Sequence, residues 1–382
     1  MDSPFLFNKY VTGKNFVGRR SDCVTLASML SHGNNVAIWE PPKSGKMSAI
    51  QQSLYSLRQS GYSFILCELD LLNIRTPQQF VRKLAGSLIL AAASTPEGIA
   101  SLSSECLGQT SLVFDPVSYS DTGELFPGSF PLSEEENREV LELPYRLAEM
   151  LNTGVIVILK EFQNIDSDAG ERLFKTMEKV LAAHRNQVSP FCSWVFTGSR
   201  YNAMESIFGR RRYFWNLAER FQLSEISDSE LTDHVLKGFM SGGKVIDREL
   251  LAGVCRLLRN NIWYVNHFFF ICDSLSKGFI SENILNDALS CLISVHEPRF
   301  KAVMNDLTDF QERLLRAVID GHTKFSSTDV IEKYALNSSA NVKRLKDALM
   351  KKEVIAFDEK DEPWILDPLF EYWLRKVYFK TV

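Results

Sequence analysis

Residues 37–50, with the sequence AIWEPPKSGKMSAI, contain the elements of a phosphate-binding loop. In such a loop, backbone N–H groups and a helix N-terminus point at the phosphates, and a lysine reaches the outer ones. The Gly45-Lys46 pair, between an apolar strand and a helix, fits this chemistry. Two positions depart from it, because Glu40 replaces the expected first glycine and Met47 the expected Mg²⁺-binding hydroxyl. The predicted nucleotide-binding residues of the loop are Pro42, Lys43, Ser44, Gly45, Lys46, Met47 and Ser48. The alternative is an ordinary strand–turn–helix with an exposed Ser-Gly-Lys turn.

A lysine and a glutamate follow a second apolar strand, in VIVILKEFQNI. NTPases of this kind end the strand with Asp-Glu, in which the Asp holds the Mg²⁺ water shell and the Glu orients the attacking water. Glu161 is therefore the catalytic candidate, and Lys160 occupies the Asp position. Ligands of open α/β sheets bind at the carboxyl ends of the strands. The alternative is a lysine that simply reaches solvent at the strand end.

The two departures concern the same chemistry. Met47 removes the direct Mg²⁺ ligand and Lys160 removes the residue that holds its water shell, so we expect a site that does not bind Mg²⁺ in the usual way. Lys160 then serves as a charge surrogate for the metal or as a partner of Glu161 or Glu40. We predict no metal-binding residues, since the seven cysteines and six histidines are dispersed without ligand spacing.

Two further polar segments are candidates for phosphate contact. Ser199 ends an apolar strand in WVFTGSRYNAM, where P-loop ATPases place a residue that senses the γ-phosphate. The segment GRRRYFW contains three consecutive arginines, including Arg212, and arginine suits bidentate phosphate contact. A strand-terminating turn and a solvated charge run are the alternatives.

The C-terminal part offers a nucleic-acid candidate. The third helix of a predicted helix–helix–helix–hairpin array contains the polar and basic residues Asn341, Lys343, Arg344 and Lys346. Acidic residues in the hairpin oppose a DNA backbone nearby, namely Asp358, Glu359, Asp361 and Glu362. DNA binding is therefore not favoured over a contact with protein.

The elements that position these residues follow from hydrophobic patterning. Four apolar runs predict buried strands at Val36–Trp39, Phe64–Leu69, Val155–Leu159 and Trp194–Thr197. Helical patterns between them lie at Ser48–Gln59, Thr76–Ala92, Glu136–Leu151 and Ala169–Ala183, so the fold class is α/β with a parallel sheet. Residues 94–132, rich in Ser, Gly and Pro, predict a surface insertion or lid. Strand signals stop after Leu223. The expected domains are an α/β domain at 1–223, a helical lid domain at 224–300 and a winged-helix domain at 301–382.

Composition limits the function classes. The chain has 382 residues, 45% of them apolar and 24% charged, which is typical of a globular protein with more than one domain. A net charge of −4 gives no global attraction to nucleic acid or to an anionic membrane. Without a signal peptide or an apolar run of the ~20 residues that span a membrane, we expect a cytoplasmic protein.

Taken together, the motifs resemble the archaeal-type ATPase family, part of the AAA+/STAND P-loop group, in the version common among Bacteroidetes-like bacteria. PFLFNKYVTGKNFVGRRSD is similar to the family's N-terminal box, and PPKSGKMSAI to its phosphate loop. The resemblance implies that Arg19 approaches the adenine region, that Lys46 is the phosphate lysine and that Arg212 is the matching arginine. NNIWYVNHFF is similar to a segment of the family's lid domain, and DPLFEYWLRK to its winged-helix tail.

This resemblance implies a P-loop core, a helical lid and a winged helix, with ATP or ADP as the cofactor and Mg²⁺ doubtful. We expect weak nucleotide binding by a pseudo-ATPase scaffold or switch that has an unknown protein partner. The enzyme alternative is a slow ATPase in which Ser48 or another side chain replaces the missing ligand. The interaction alternative is a nucleotide-independent adaptor or DNA-binding regulator.

Overall fold

The computed structural model describes residues 3–128, 130–165 and 167–381. The chain folds into two compact units, each built from separate stretches of sequence. Unit 1 comprises Met1–Arg20, Pro41–Gln52 and Ser224–Val382, and unit 2 comprises Ser21–Glu40 and Ser53–Leu223. Each unit has its own hydrophobic core.

Unit 2 is built on a five-stranded parallel sheet with strand order β2-β3-β4-β1-β5. The strands are β1 (Val36–Trp39), β2 (Phe64–Asp70), β3 (Gly154–Lys160), β4 (Cys192–Gly198) and β5 (Glu219–Arg220). The central strands are almost entirely buried, as expected for a parallel sheet covered on both faces. The predicted strands are confirmed. The sequence missed β5, because its two exposed charged residues carry no apolar signal.

The helices associated with this part of the chain are α1 (Arg20–Ser31), α2 (Lys46–Gln59), α3 (Pro77–Ala92), α4 (Pro96–Leu107), α5 (Pro116–Thr122), α6 (Glu134–Leu151), α7 (Ser167–Ala183) and α8 (Tyr201–Phe208). The sequence predicted α2, α3, α6 and α7, and each of these begins within two residues of its predicted start. Two starts are set by capping boxes, in which Thr76 pairs with Gln79 and Ser133 with Glu136.

Residues 94–132 are not the surface insertion that their composition predicted. They form α4 and α5, and α4 packs against α3 and α6. Ile99, Leu107 and Phe126 are buried in the core of unit 2. The prediction was wrong because Ser101 and Ser104 lie on the exposed face of a helix whose apolar residues recur at helical spacing. Ser129, in the same segment, lies outside the described residues.

The middle of unit 1 contains the helices α9 (Asp228–Ser241), α10 (Arg248–Leu257), α11 (Ile262–Leu275) and α12 (Glu282–Asn305). It also contains two short parallel strands, β6 (Val245–Ile246) and β7 (Phe279–Ile280). The sequence predicted no strand here, since two residues are too few to show a period.

The C-terminal part of unit 1 has the predicted winged-helix order. The helices α13 (Asp309–Ile319), α14 (Thr328–Lys333) and α15 (Ser339–Lys351) precede the antiparallel hairpin of β8 (Ile355–Phe357) and β9 (Pro363–Ile365). A short helix, α16 (Pro368–Trp373), follows. Val342, Leu345 and Leu349 are buried, so these α15 positions are core as predicted. The domain boundaries at 223 and 300 stay predictions.

Candidate phosphate-binding site

The loop between β1 and α2 turns through two left-handed residues, Lys43 with φ 70° and Gly45 with φ 86°. A Cβ on Gly45 would lie 3.3 Å from both Arg19 Nη1 and Ile262 Cγ2. The left-handed conformation therefore favours glycine, and a Cβ at this position would be tightly placed. The backbone N–H of Ala49 donates to the Gly45 carbonyl (3.1 Å), so the helix N-terminus that would face an anion starts directly at this loop.

Arg19 holds the loop through its guanidinium group. Nη1 donates to the Ser44 carbonyl at 2.6 Å, and Nε donates to the Ser224 carbonyl at 2.7 Å. The Arg19 side chain therefore links the N-terminal segment, the loop and the start of the segment after Leu223. These bonds give Arg19 a positioning role, whereas the family resemblance implied an approach to adenine.

Two hydroxyl groups in the loop have different surroundings. Ser44 Oγ is buried and has no hydrogen-bond partner among the described residues. A buried hydroxyl without a partner is costly, so this position suits a ligand that supplies one. Ser48 Oγ accepts a hydrogen bond from the Val11 N–H (3.3 Å), which uses part of the capacity that a replacement Mg²⁺ ligand would need.

The remaining loop residues differ in exposure. Lys46 is only 7% exposed and Met47 only 8% exposed, whereas Pro42 lies on the surface. The lysine at the start of α2 is thus sheltered from bulk solvent, which strengthens any contact between its ammonium and an anion.

Lys43 lies against aromatic residues at the start of α11. Its Nζ is 3.8 Å from the centroid of the Trp263 ring and 4.8 Å from that of Tyr264. Burial and the nearby Arg299 guanidinium lower the pKa of Lys43 to about 8, while the Asp367 carboxylate acts in the opposite direction. The sequence assigned Lys43 to phosphate contact, but its side chain is docked on an aromatic surface instead.

Two histidines complete this aromatic surface. Their ring centroids are 5.5 Å apart, and Trp263 lies 5.1 Å from His267 and 5.6 Å from His296. Burial, followed by the charge of Lys43, lowers the pKa of each histidine to about 4. His267 Nδ1 and His296 Nε2 are buried without a hydrogen-bond partner among the described residues. We call Trp263, Tyr264, His267 and His296 the cage.

Tyr264 connects the cage to α16. Its hydroxyl donates to Asp367 Oδ2 at 2.8 Å and accepts from Arg299 Nη2 at 2.9 Å. Arg299 also forms an ion pair with Asp367 at 2.6 Å. Asp367 Oδ1 in turn caps α16 by accepting from the N–H groups of Leu369 and Phe370.

In unit 2, Glu161 joins the ends of β3 and β4. Its Oε2 accepts from Ser199 Oγ (2.5 Å), from the Ser199 N–H (3.3 Å) and from Gln163 Nε2 (2.7 Å). Glu161 itself has a left-handed backbone, with φ 56°. The structure thus brings the predicted catalytic residue and the predicted sensor residue into direct contact, and it adds Gln163, which the sequence analysis did not select.

Lys160 forms an ion pair with Glu68 on the neighbouring strand, with Nζ 2.8 Å from Oε2. This partner was not among those predicted. Mg²⁺ requires oxygen ligands, but Met47 offers a thioether and Lys160 an ammonium at the two positions where such ligands are expected. Within the described ranges, no group of three or more His, Cys, Asp or Glu side chains could hold a metal ion. The residues at these two positions do not fit Mg²⁺ bound in the usual way.

The other predicted site residues lie on separate surfaces. Arg212 is exposed in a turn of unit 2, where its N–H donates to the Gly209 carbonyl. Lys343 and Arg344 are exposed on α15. Lys346 instead pairs with Asp361 of the hairpin at 3.3 Å and lies 4.0 Å over the Phe357 ring.

Asn341 has a structural contact at the start of α15. Its side-chain amide donates to the Leu336 carbonyl (3.0 Å). No helix among the described residues is long and apolar enough to cross a membrane.

Comparisons with known proteins agree with this architecture. Residues 298–376 match a family model described as a probable winged helix domain. The fold is similar to that of a Walker-type ATPase of Pyrococcus abyssi, with a TM-score of 0.66 and 16% identity over 97% of this chain and 99% of that one. The chain has the fold of a Walker-type ATPase. The predicted fold and the predicted resemblance to P-loop ATPases are therefore confirmed.

This ATPase fold is shared with a second solved protein, ORC2 of Aeropyrum pernix. Its ADPNP–ADP complexes give a TM-score of 0.55 and its ADP form 0.53, each at 12% identity over 99% of this chain and 96% of that one. No curated protein matches the sequence.

The cage was missed because nothing in the local sequence relates Lys43 to α11. The segment NNIWYVNHFF contains an unusual density of aromatic and histidine residues, which was the available signal. From helical spacing alone, such residues are assigned to the core. The charge next to them is the ammonium of Lys43, which comes from a loop distant in sequence.

Proposed function

We propose that this protein binds ADP or ATP at the loop of residues 40–48 and acts as a nucleotide-responsive switch with little or no Mg²⁺-dependent hydrolysis. Lys46 and the amides from Ser44 to Ser48 hold the phosphates in this proposal. Glu161, directly after β3 in unit 2, is the acidic residue that remains of the expected Asp-Glu pair. The free, mostly buried cysteines support the predicted cytoplasmic setting.

The loop conformation is the observation that carries the proposal. Gly45 has a left-handed backbone with close neighbours, Ser44 Oγ has no hydrogen-bond partner among the described residues, and Lys46 starts a helix of 14 residues. These features support an anion at the helix N-terminus, since aligned N–H groups and the helix dipole both favour negative charge there. The ADPNP–ADP complexes of ORC2 support the choice of an adenine nucleotide.

Weak turnover is proposed from the residue types at the two sequence positions where Mg²⁺-binding residues are expected. Mg²⁺ normally neutralises the charge that develops on the transferred phosphate. Met47 and Lys160 supply no oxygen ligand for it, and Lys160 is paired with Glu68. Glu161 accepts several hydrogen bonds on one oxygen, which leaves it less available to orient a water.

Nucleotide titration tests the proposal. We expect ADP at millimolar concentration to raise the melting temperature of the wild-type protein, since a ligand that binds only the folded state stabilises it. Lys46→Ala should weaken ADP binding about 10- to 100-fold, because a charge-assisted hydrogen bond contributes about 1.5–3 kcal/mol. Lys9→Ala, at an exposed lysine of unit 1, is the matched control and should bind ADP like the wild type.

Calorimetric titration with and without Mg²⁺ measures both affinities. ATP hydrolysis that requires Mg²⁺, proceeds at ordinary enzyme rates and is lost in Lys46→Ala would contradict the switch proposal. Absence of any ADP or ATP effect on the melting temperature would favour the second candidate, a nucleotide-independent adaptor. The Lys346–Asp361 ion pair supports a protein rather than a DNA partner for the winged helix, because it neutralises a central cation of α15.

A further inference from the structure

Lys43 combines a strained backbone with a docked side chain. Its φ of 70° lies in the left-handed region, which is unfavourable for a residue with a Cβ. Such a conformation persists only where the surroundings hold it. The contact of its ammonium with Trp263 at 3.8 Å is therefore a specific interaction that the loop conformation makes possible.

The ammonium of Lys43 faces aromatic rings, although the Asp367 carboxylate acts on it from a greater distance. Among the residues that the structure describes, no carboxylate lies within ion-pair distance of Nζ. Its closest neighbours are the faces of Trp263 and Tyr264, and both histidines of the cage feel its charge. An aromatic face attracts a cation through the ring quadrupole, but less strongly than a phosphate oxygen does.

The same cage is bonded to the winged-helix end of unit 1. Tyr264 donates to Asp367, Arg299 bridges both residues, and Asp367 caps α16. Tyr264, whose ring lies against Lys43, therefore bonds directly to the residue that caps α16.

We propose that Lys43 is a latch that connects phosphate occupancy of the loop with the order of α16. This inference rests on the proposed function, because the phosphates of ADP compete with the cage for the Lys43 ammonium. In the latched state Lys43 lies on Trp263 and supports the cage. When ADP binds, the ammonium turns to a phosphate oxygen, and the cage loses the charge that orders Trp263 and Tyr264. The Asp367 cap of α16 then loosens.

The electrostatic surroundings of Lys43 support a two-state element. Burial and the nearby Arg299 guanidinium lower the pKa of Lys43 to about 8, so the ammonium is held in surroundings that disfavour its charge. An anionic ligand favours the charged ammonium. It therefore stabilises the side-chain position at the phosphate more than the position on the Trp263 ring. A ligand shifts such an equilibrium only through this difference.

Hydrogen exchange of the full chain tests the latch with ADP as the probe. In the wild type, we expect ADP to raise exchange of the capped amides of Leu369 and Phe370 at least about threefold, as the population shifts away from the latched state. Lys43→Met keeps the aliphatic stem and removes the charge. It should show the raised exchange without ADP and no further rise with it. Lys9→Met is the matched control and should respond to ADP like the wild type.

Affinity provides a second readout. Trp263→Leu removes the competing ring, so we expect it to bind ADP about 3- to 10-fold more tightly than the wild type. Trp215→Leu, at an exposed tryptophan of unit 2, is the control and should leave affinity unchanged. Circular dichroism verifies that each variant is folded.

The outcomes separate the latch from the proposed function. If ADP binds the wild type but raises exchange at α16 equally in Lys43→Met, the latch is wrong and nucleotide binding stands. If ADP does not bind at all, nucleotide binding fails, and the latch is judged on Lys43→Met without ligand. Unchanged exchange at Leu369 and Phe370 in that variant overturns the latch in either case.

Discussion

At the scale of single residues, chemistry and backbone strain coincide. Lys43 and Glu161 both have left-handed backbones, and each follows the end of a buried parallel strand. Non-glycine residues persist in that region when their surroundings fix them. Lys43 is fixed by the aromatic faces of the cage and Glu161 by its hydrogen bonds to Ser199 and Gln163.

The hydrogen bond between Gln163 and the Glu161 carboxylate depends on Gly198, the last residue of β4. A Cβ at Gly198 would lie 2.3 Å from Met204 Cγ and 2.4 Å from Gln163 Oε1. Gly198→Ala should therefore destabilise the protein by about 1–3 kcal/mol, the usual cost of overpacking. It should also displace Gln163 from Glu161. Chemical denaturation measures the first effect.

Gly253→Ala is the matched control for this substitution. Gly253 lies within α10, and no atom comes within 4 Å of a Cβ built on it. Alanine is favoured over glycine in a helix interior by about 1 kcal/mol, so this variant should be unchanged or slightly more stable. Equal destabilisation by both substitutions would contradict the packing account of Gly198.

At the scale of elements, the segment 94–132 shows how composition can mislead. Its Ser and Gly residues gave the appearance of a surface insertion, but α4 places Ile99, Leu102 and Cys106 on one buried face. Pro96 stands at its first turn and Thr95 caps it, which are ordinary helix-start signals. The segment is thus part of the core of unit 2.

Truncation of a buried side chain in this segment tests that assignment. Ile99 is 1% exposed, so Ile99→Ala should lower the free energy of unfolding by about 2–4 kcal/mol through lost burial and a residual cavity. Val113, in the same segment, is 74% exposed, and Val113→Ala should change stability by less than about 0.5 kcal/mol. Urea unfolding distinguishes the two. Similar small effects would restore the surface-insertion interpretation.

At the scale of the whole molecule, stability should depend on pH through the cage. The pKa of His267 and of His296 is about 4 in the folded protein, below the value of about 6.5 expected in the unfolded chain. Between these values the unfolded state binds more protons, so the free energy of unfolding falls as the pH decreases from about 6.5 to 4. We expect a loss on the order of 2 kcal/mol per histidine across this window.

Unfolding measured from pH 7 to pH 4.5 checks this dependence. His267→Phe removes one titrating group while keeping an aromatic ring beside Phe7, which stacks on His267 with centroids 4.2 Å apart. This variant should lose less stability than the wild type as the pH falls. His32→Phe, directly after α1, is the matched control and should keep the wild-type slope. An unchanged slope in His267→Phe would show that the cage histidines do not govern acid stability.

Much of this architecture was determined by the sequence itself, because strands and helices depend on local periodicity. The apolar runs at Val36–Trp39 and Val155–Leu159 predicted central strands, and the Gly45-Lys46 pair located the loop before α2. The winged-helix order followed from the same patterning. The short strand β5 and the helices of residues 94–132 were missed, since exposed pairs and small residues carry weak periodic signals.

Only the tertiary structure decided the partners of the charged residues. Lys160 pairs with Glu68 across two strands, and Lys43 docks on Trp263 rather than lying in solvent. A side chain's partner depends on which distant segments fold beside it, and no local pattern in one sequence specifies that. Hydrophobic spacing therefore determined where the loop and the strands lie, whereas the packing of distant helices determined which groups surround Lys43 and the other charges.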